Sequence, residues 1–470
     1  MHYRVKSYAA HSATSALAPF QIERRSPRAD DVVIEILYCG VCHSDVHNVR
    51  NDWGNANYPM VPGHEIIGRV TAVGSAVTRV QPGDRVGVGC MVASCRHCVA
   101  CEQGRQQYCL HGSTYTYNHQ DPLDGSRTYG GYSEAIVVAE DFVLRIPDTL
   151  ELAGAAPLLC AGITTYSPLR HWQVGSGSKV AIVGLGGLGH MGLKLAKAMG
   201  AEVTLFSRSP GKEADARRLG ADHIVISTQA AQMAAVAGKF DLIINTVPYQ
   251  HDVNPYIPTL ASGGTMVMVG YLGPLDDFNT APLVFSRKAL AGSLIGGIAE
   301  TQEMLDFCGQ HGIHSDIELI RMQDINQAFE RLLKAEVKYR FVIDMASLKA
   351  STLTIPSRLT SLRRPRACRS PTPATATRWM FRQNCLPARS SWKCCSARMG
   401  RIAARRVWSV SRPVPAPIGT ATRWARPCWS RRELAWCSAP AGHYNRSAPA
   451  MWCGYRPVCG TGMVLRQSTA

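Results

Sequence analysis

No run of about 18 uncharged apolar residues occurs in this chain, so no membrane-crossing helix is expected. The opening stretch "MHYRVKSYAAHSATS" lacks the apolar segment of a secretory signal, and a cytoplasmic protein without membrane contact is expected. Acids are nearly missing from residues 347–470, where Glu433 stands alone against 22 Lys and Arg. That shortage produces the net charge of +17; residues 1–346 hold 29 bases and 33 acids, a net of −4. The nucleic-acid or acidic-membrane partner that a strongly basic chain suggests is therefore not expected of the body. A length of 470 residues leaves room for two or three domains with ordinary cores.

Disulfides are not expected either. Nine of the 17 cysteines precede residue 347, and six of those nine have metal-type spacing or sit in candidate ligand motifs, which argues for reduced thiols. Cys95-x2-Cys98-x2-Cys101-x7-Cys109 is the densest group. Four thiols so close favour a closed all-thiolate zinc site that pins a loop and does no chemistry. The start resembles an iron–sulfur run, but there the fourth cysteine follows after three residues and precedes Pro. Here Cys109 follows after seven and precedes Leu110. Cys39, Cys90 and Cys308 have no partner by spacing and are expected to be core thiols.

The stretch from Cys39 to Glu65, "CGVCHSDVH…VPGHE", concentrates thiol, imidazole, hydroxyl and carboxylate. Sulfur plus imidazole is a zinc-type ligand set, and a zinc that does chemistry keeps three protein ligands and one open position. Cys42 and His64 supply two ligands; Cys160 in "PLLCAGIT" is the best candidate for the third. Asp45 is a candidate partner for the ring N–H of His64.

Residues 1–150 read as short β runs broken by Gly and Pro, such as "DDVVIEILYCG" and "IIGRVTAVGS", a compact, mostly antiparallel β domain. From about residue 157 the pattern changes. "SKVAIVGLGGLGHMGLKLAKAMGA" is a strand, a glycine turn and a helix with Leu193, Ala196 and Met199 toward one side. Gly184, Gly186 and Gly189 form G-x-G-x-x-G at that junction, and the turn with Gly187 and Leu188 is a dinucleotide cradle. A second strand, "AEVTLFSRS", ends with no acid between Val203 and Lys212. NAD sites carry Asp or Glu there. Ser207, Arg208, Ser209 and Lys212 stand instead and suit the 2′-phosphate of NADP(H), although Arg208 and Lys212 also fit an ordinary solvated edge. Further strand–helix alternation predicts a doubly wound parallel sheet.

The motifs "GVCHSD", "PGHEIIGRV" and "CAGITTYSPLRHW" resemble the zinc-dependent medium-chain alcohol dehydrogenases. The likeness is to the cinnamyl-alcohol-dehydrogenase branch and its bacterial NADPH-dependent aldehyde reductases, and it spans about residues 5–346. It implies an α/β architecture: a chaperonin-10-like β-barrel catalytic domain over residues 1–156 and 296–346, and a Rossmann cofactor domain over 157–295. It implies two Zn2+ per chain, NADP(H), and an aldehyde or primary alcohol as substrate. Ser44 and His47 would form a proton relay, and Glu65 would approach the metal during ligand exchange. His43 and Arg340 would lie near the pyrophosphate and Thr164 near the nicotinamide. His47 as a plain surface histidine and Arg340 as an interdomain salt-bridge residue are the alternatives. Trp53, Leu272 and Ile295 are candidate pocket residues. Similar enzymes are commonly dimers.

Two other functions compete. A polyol or secondary-alcohol dehydrogenase would share the motifs and differ in its substrate panel. A zinc-organised nucleic-acid-binding protein would leave Cys42, His64, Cys160 and the glycines without a role. A zinc-free quinone reductase of similar fold would not need these ligands. Residues 347–470 hold seven of the nine tryptophans without any helical or strand period, an extension with no recognisable fold. Out-of-frame or read-through translation is the leading reading of that segment; a basic arm binding nucleic acid through Arg and Trp is its rival. Reading the gene near codon 346 in the other two frames separates them. A homologous C-terminus or a nearby stop codon supports the first, and salt-sensitive nucleic-acid binding that truncation abolishes supports the second.

Overall fold

The computed structural model describes residues 3–350 apart from Asp276, so nearly all of the basic extension lies outside the described residues. The first lobe is organised by the 11-residue strand Asp31–Val41. It pairs antiparallel with Ile66–Val73, Ala135–Ala139 and Arg340–Asp344. Arg85–Val88 and Leu144–Arg145 extend the sheet on one side. Ile317–Arg321, a short strand not anticipated above, closes the other side parallel to Arg340–Asp344. Val32, Ile34, Ile36, Val41, Ile66 and Phe341 are solvent-free and form its core. The mostly antiparallel β lobe is as the turn-broken β runs imply.

Register decides which functional residues meet. Phe341 lies opposite Val41, which sets Arg340 beside Cys42. Cys39 lies opposite Ile66, which sets Gly40 beside Glu65, and the Gly40 N–H donates to the Glu65 carbonyl at 2.9 Å. Gly40 has to be glycine, because a Cβ there would collide with the Glu65 carboxylate.

The second lobe is a six-stranded parallel sheet. Its spatial order is His223–Ile226, Glu202–Ser207, Lys179–Val183, Phe240–Asn245, Leu260–Met268 and Ala289–Gly292. The strands are near-continuous apolar runs because both faces are covered. Lys179–Val183 leads through the glycine turn into helix Gly187–Ala198. Gly184 stands at φ +89°, and a Cβ on Gly189 would strike its carbonyl, so one glycine makes the turn and the other lets the helix close on it. A Cβ on Gly186 would meet nothing, which leaves the backbone there open to a ligand. Leu193 and Ala196 are buried, and Met199 is half-buried at the helix end.

Helix Ile298–His311 and helix Ile325–Leu333 return the chain to the first lobe. The described fold then continues a few residues past 346, where the acids run out and the family likeness stops. Helix Ala346–Ala350 packs Leu348 into the first core, and the Ser347 hydroxyl accepts from the Met322 N–H at 2.8 Å. Loss of acids marks a change of charge, whereas Leu348 is held by apolar packing. Among the described residues no single helix is long and apolar enough to cross a bilayer.

His190, fully buried in the glycine-turn helix, donates from Nδ1 to the Gly187 carbonyl at 2.7 Å and sits 2.9 Å from the Ser315 hydroxyl through Nε2. Burial first, then Lys194 and Arg340, push its imidazole down to about 3. The unfolded chain takes up that proton near pH 6.5 and the folded one does not, so stability falls as pH drops below 6.5. Between pH 7 and pH 5 the wild type should lose about 2 kcal/mol that His190→Gln does not lose. Urea unfolding of both proteins at the two pH values checks this, and a gap that stays constant contradicts it.

Candidate active site

Helix His43–Arg50 starts where the central strand ends, with Cys42 at its N-cap. Asp45, wholly buried in the first turn, accepts from the Cys42 N–H at 3.0 Å and the Gly63 N–H at 3.1 Å. It also contacts His64 Nδ1 at 3.1 Å and accepts from the Tyr132 hydroxyl at 3.4 Å. One carboxylate thus fixes two candidate ligands and directs His64 Nε2 away from itself. Cys160 caps helix Ala161–His171 at its N-terminus. His64 Nε2 lies 3.3 Å from Cys160 Sγ, and the Cys42 and Cys160 sulfurs are 3.9 Å apart. The ligand atoms of Cys42, His64, Glu65 and Cys160 all lie within 4.8 Å of one another, and all four residues are buried.

Electrostatics suit a cation at this cluster. Cys42 is pulled well below the usual thiol range, chiefly by its hydrogen bond with Cys160, and Cys160 is correspondingly raised. A metal binding here would take both sulfurs as thiolates and release their protons. Burial pushes Glu65 up to about 7 against the attraction of Arg340. Glu65 Oε1 is paired with the Arg340 guanidinium, whereas Oε2 is buried without a hydrogen-bond partner. A two-sulfur, one-imidazole set with an orphaned carboxylate oxygen in reach is what a zinc ion would satisfy.

The Glu65–Arg340 contact was not foreseen; it is an ion pair within the first lobe, not the interdomain salt bridge offered as one alternative for Arg340. Arg340 spans from the metal cluster to the cofactor lobe, where a Cβ on Gly187 would meet its guanidinium at 2.8 Å. Gly187 is therefore small for Arg340. Within the first lobe, His47 Nδ1 lies 2.8 Å from Asp52, and its ring rests 5.5 Å from Trp53. Asn51 at φ +59° turns the chain so that Asp52 comes back to His47. Asp52 went unnoticed above, although an acid one turn beyond a helix-terminal histidine is a usable signal. His43 is half-buried and lowered by burial.

A cavity of about 360 Å³ opens over the cluster. Ser44, Trp53, Thr164, Leu188, Leu294 and Ile295 contribute to its wall, so both lobes do. Leu272, proposed for this wall, instead packs with Val183 and Phe206 in the core beneath the cofactor sheet. Cys39 and Cys308 are core thiols as expected, but half-buried Cys90 lines the cavity.

Cys95, Cys98, Cys101 and Cys109 form a second group within 4.8 Å. Backbone N–H groups of Cys98, Leu110 and Cys95 point at the sulfurs of Cys95, Cys98 and Cys109 at 3.3, 3.4 and 3.5 Å. Such donors stabilise thiolates, and Cys98 is lowered to about 6, first by the Leu110 N–H. At the rim of the cofactor lobe, Ser207 ends its strand with its hydroxyl bound to the Ser209 carbonyl at 2.8 Å. Arg208 and Ser209 are exposed, and the Lys212 ammonium reaches back to the Leu185 carbonyl at 3.1 Å, over the glycine turn.

A buried Cys–His–Cys cluster at the floor of a cleft between a β lobe and a six-stranded cofactor sheet defines a metal-dependent dehydrogenase. The chain belongs to the zinc-binding alcohol dehydrogenases: residues 28–148 match the alcohol dehydrogenase GroES-like domain and 187–310 the zinc-binding dehydrogenase domain. It is 55% identical over 347 residues to aldehyde reductase YahK of Escherichia coli, covering 73% of this chain and 99% of that one. It is 54% identical over 344 residues to the NADP-dependent alcohol dehydrogenase C of Mycobacterium tuberculosis, covering 73% and 99%. Among solved structures, cinnamyl alcohol dehydrogenase from Helicobacter pylori, complexed with NADP(H), aligns at TM-score 0.69 and 40% identity over 74% of this chain and 99% of that one.

Asp45→Asn should weaken metal retention at the Cys42–His64–Cys160 cluster roughly 10- to 100-fold while the four-cysteine loop keeps its ion. Zinc analysis after graded chelator dialysis reads this, and equal loss from both groups contradicts it.

Proposed function

We propose that this protein is a zinc-dependent, NADP(H)-linked aldehyde reductase that also oxidises primary alcohols, with Cys42, His64 and Cys160 holding the catalytic zinc and Cys95, Cys98, Cys101 and Cys109 a structural one. The observation that carries the reading is the buried cluster opening into a cavity whose wall includes Thr164 and Leu188 of the cofactor side. When bound, the zinc supplies Lewis acidity toward a carbonyl oxygen and the nicotinamide supplies hydride.

The protein's own groups do the rest. Asp45 keeps His64 in one tautomer and Cys42 in place. Ser44 lines the cavity, and His47 stands one helical turn further on the same face, backed by Asp52. That pairing makes Ser44 and His47 the groups that hand a proton between the cavity and solvent. Gly184, Gly186 and Gly189 open the helix N-terminus to a diphosphate. Arg208, Ser209 and Lys212 receive a 2′-phosphate where NAD sites carry an acid. Trp53, Leu294 and Ile295 make the wall apolar, which favours aromatic and aliphatic aldehydes over polyols. The free thiols of the body suit a cytoplasmic setting.

A homodimer is also proposed. Strand Ala289–Gly292 is the sheet's edge, and the neighbouring helix Ala281–Ser286 leaves Phe285 86% exposed. A second copy of this edge is the occupant that would bury it, and Phe285→Glu should then give a monomer by light scattering.

Cinnamaldehyde reduction with NADPH and with NADH tests the activity. Preference for NADPH, and loss of turnover with retained folding in Cys160→Ser, are the expected results. Equal use of both cofactors overturns the NADP(H) assignment, and an active Cys160→Ser overturns the ligand set.

A further inference from the structure

The four-cysteine loop reaches beyond its own sulfurs. Its exit turn Gln106–Tyr108 projects two side chains onto residues 294–298, the connector from the edge strand Ala289–Gly292 to helix Ile298–His311. The Leu294 N–H donates to the Tyr108 hydroxyl oxygen at 3.0 Å. The Ile298 N–H, a first-turn donor with no acceptor inside its helix, donates to Gln106 Oε1 at 3.1 Å. Gly297 between them has to lack a Cβ, which would collide with the Gly104 carbonyl and lie 2.8 Å from Gln106 Oε1.

Ile295 lies between these two anchors at φ +37°, where a β-branched residue does not sit unless its surroundings hold it there. Leu294 and Ile295 face the cavity, while Gln106 and Tyr108 do not line it.

We propose that Gln106 and Tyr108 are positioning residues for substrate selection. They carry the order of the four-cysteine loop across to the cavity wall, holding Ile295 in its left-handed conformation so that Leu294 and Ile295 limit the size of aldehyde admitted. The four-cysteine loop thereby acts on specificity at a distance, through two side chains. This inference rests on the aldehyde reductase reading above.

Its test uses the full chain with both zincs bound, in Tyr108→Phe, Gln106→Ala and Gln106→Glu, the last of which keeps an acceptor for the Ile298 N–H. Hydrogen exchange at Leu294 and Ile298 should quicken roughly five-fold in the first two variants, the loss of one hydrogen bond, and return toward wild type in Gln106→Glu. With NADPH saturating, the KM for cinnamaldehyde should change several-fold in those two variants while kcat for propanal stays within two-fold. Unchanged exchange overturns the proposal, as does a KM that moves equally for both aldehydes. Altered selectivity that appears only with loss of zinc also overturns it, since the loop would then act through the fold. If the wild type reduces no aldehyde, the functional reading fails, and exchange at Leu294 and Ile298 still decides whether the clamp exists.

Discussion

Cys42 and Cys160 are 118 residues apart in the chain, yet their sulfurs lie 3.9 Å from each other, with the His64 imidazole 3.3 Å from Cys160, as the proposed zinc site requires. The folded body serves that convergence. Cys42 is fixed at the junction of the central strand and the first helix, His64 precedes the next strand, and Cys160 caps a helix whose other residues are nearly all buried. None of the three sits on a mobile loop tip. Asp45 completes the arrangement by accepting from two backbone N–H groups and one ring nitrogen at once, so a single buried charge orients ligands contributed by two elements.

Arg340, 1% exposed, is paired with Glu65 inside the cluster. Burial alone would pull its guanidinium down, but Glu65, Cys42 and Cys160 together hold it above its usual range. Breaking such a buried pair leaves an uncompensated charge, so Glu65 and Arg340 are mutually dependent. Arg340 also lies against Gly187 at the start of helix Gly187–Ala198, so the same guanidinium reaches from the Cys42–His64–Cys160 cluster to the glycine turn. Its position follows from the pairing of Phe341 with Val41, a contact between strands about 300 residues apart in the chain.

Much of this was legible from the residues. Soft ligands, the C-x2-C-x2-C run and the strand–glycine–helix pattern depend on residue type and spacing over short stretches, and local chemistry leaves local marks. The glycines kept their separate roles down to the collision between Gly189 and Gly184. What escaped depended on register or on distant packing. The Glu65–Arg340 pair needs the antiparallel match of strands nearly 300 residues apart. Asp52 behind His47 needs the left-handed Asn51. Leu272 looked like pocket wall but packs in the core beneath the cofactor sheet, and Cys90 looked like a core thiol but lines the cavity. Charge and the reach of the family likeness set the end of the body at residue 346, and neither registers the apolar contact that holds Leu348.

X-ray absorption at the zinc edge tests the central claim most directly, because it counts ligands without reference to activity. Two zincs per chain are predicted, with an averaged first shell of three sulfurs at about 2.3 Å and one lighter ligand, and with imidazole scattering. A shell of four sulfurs, or a single zinc per chain, would contradict the account.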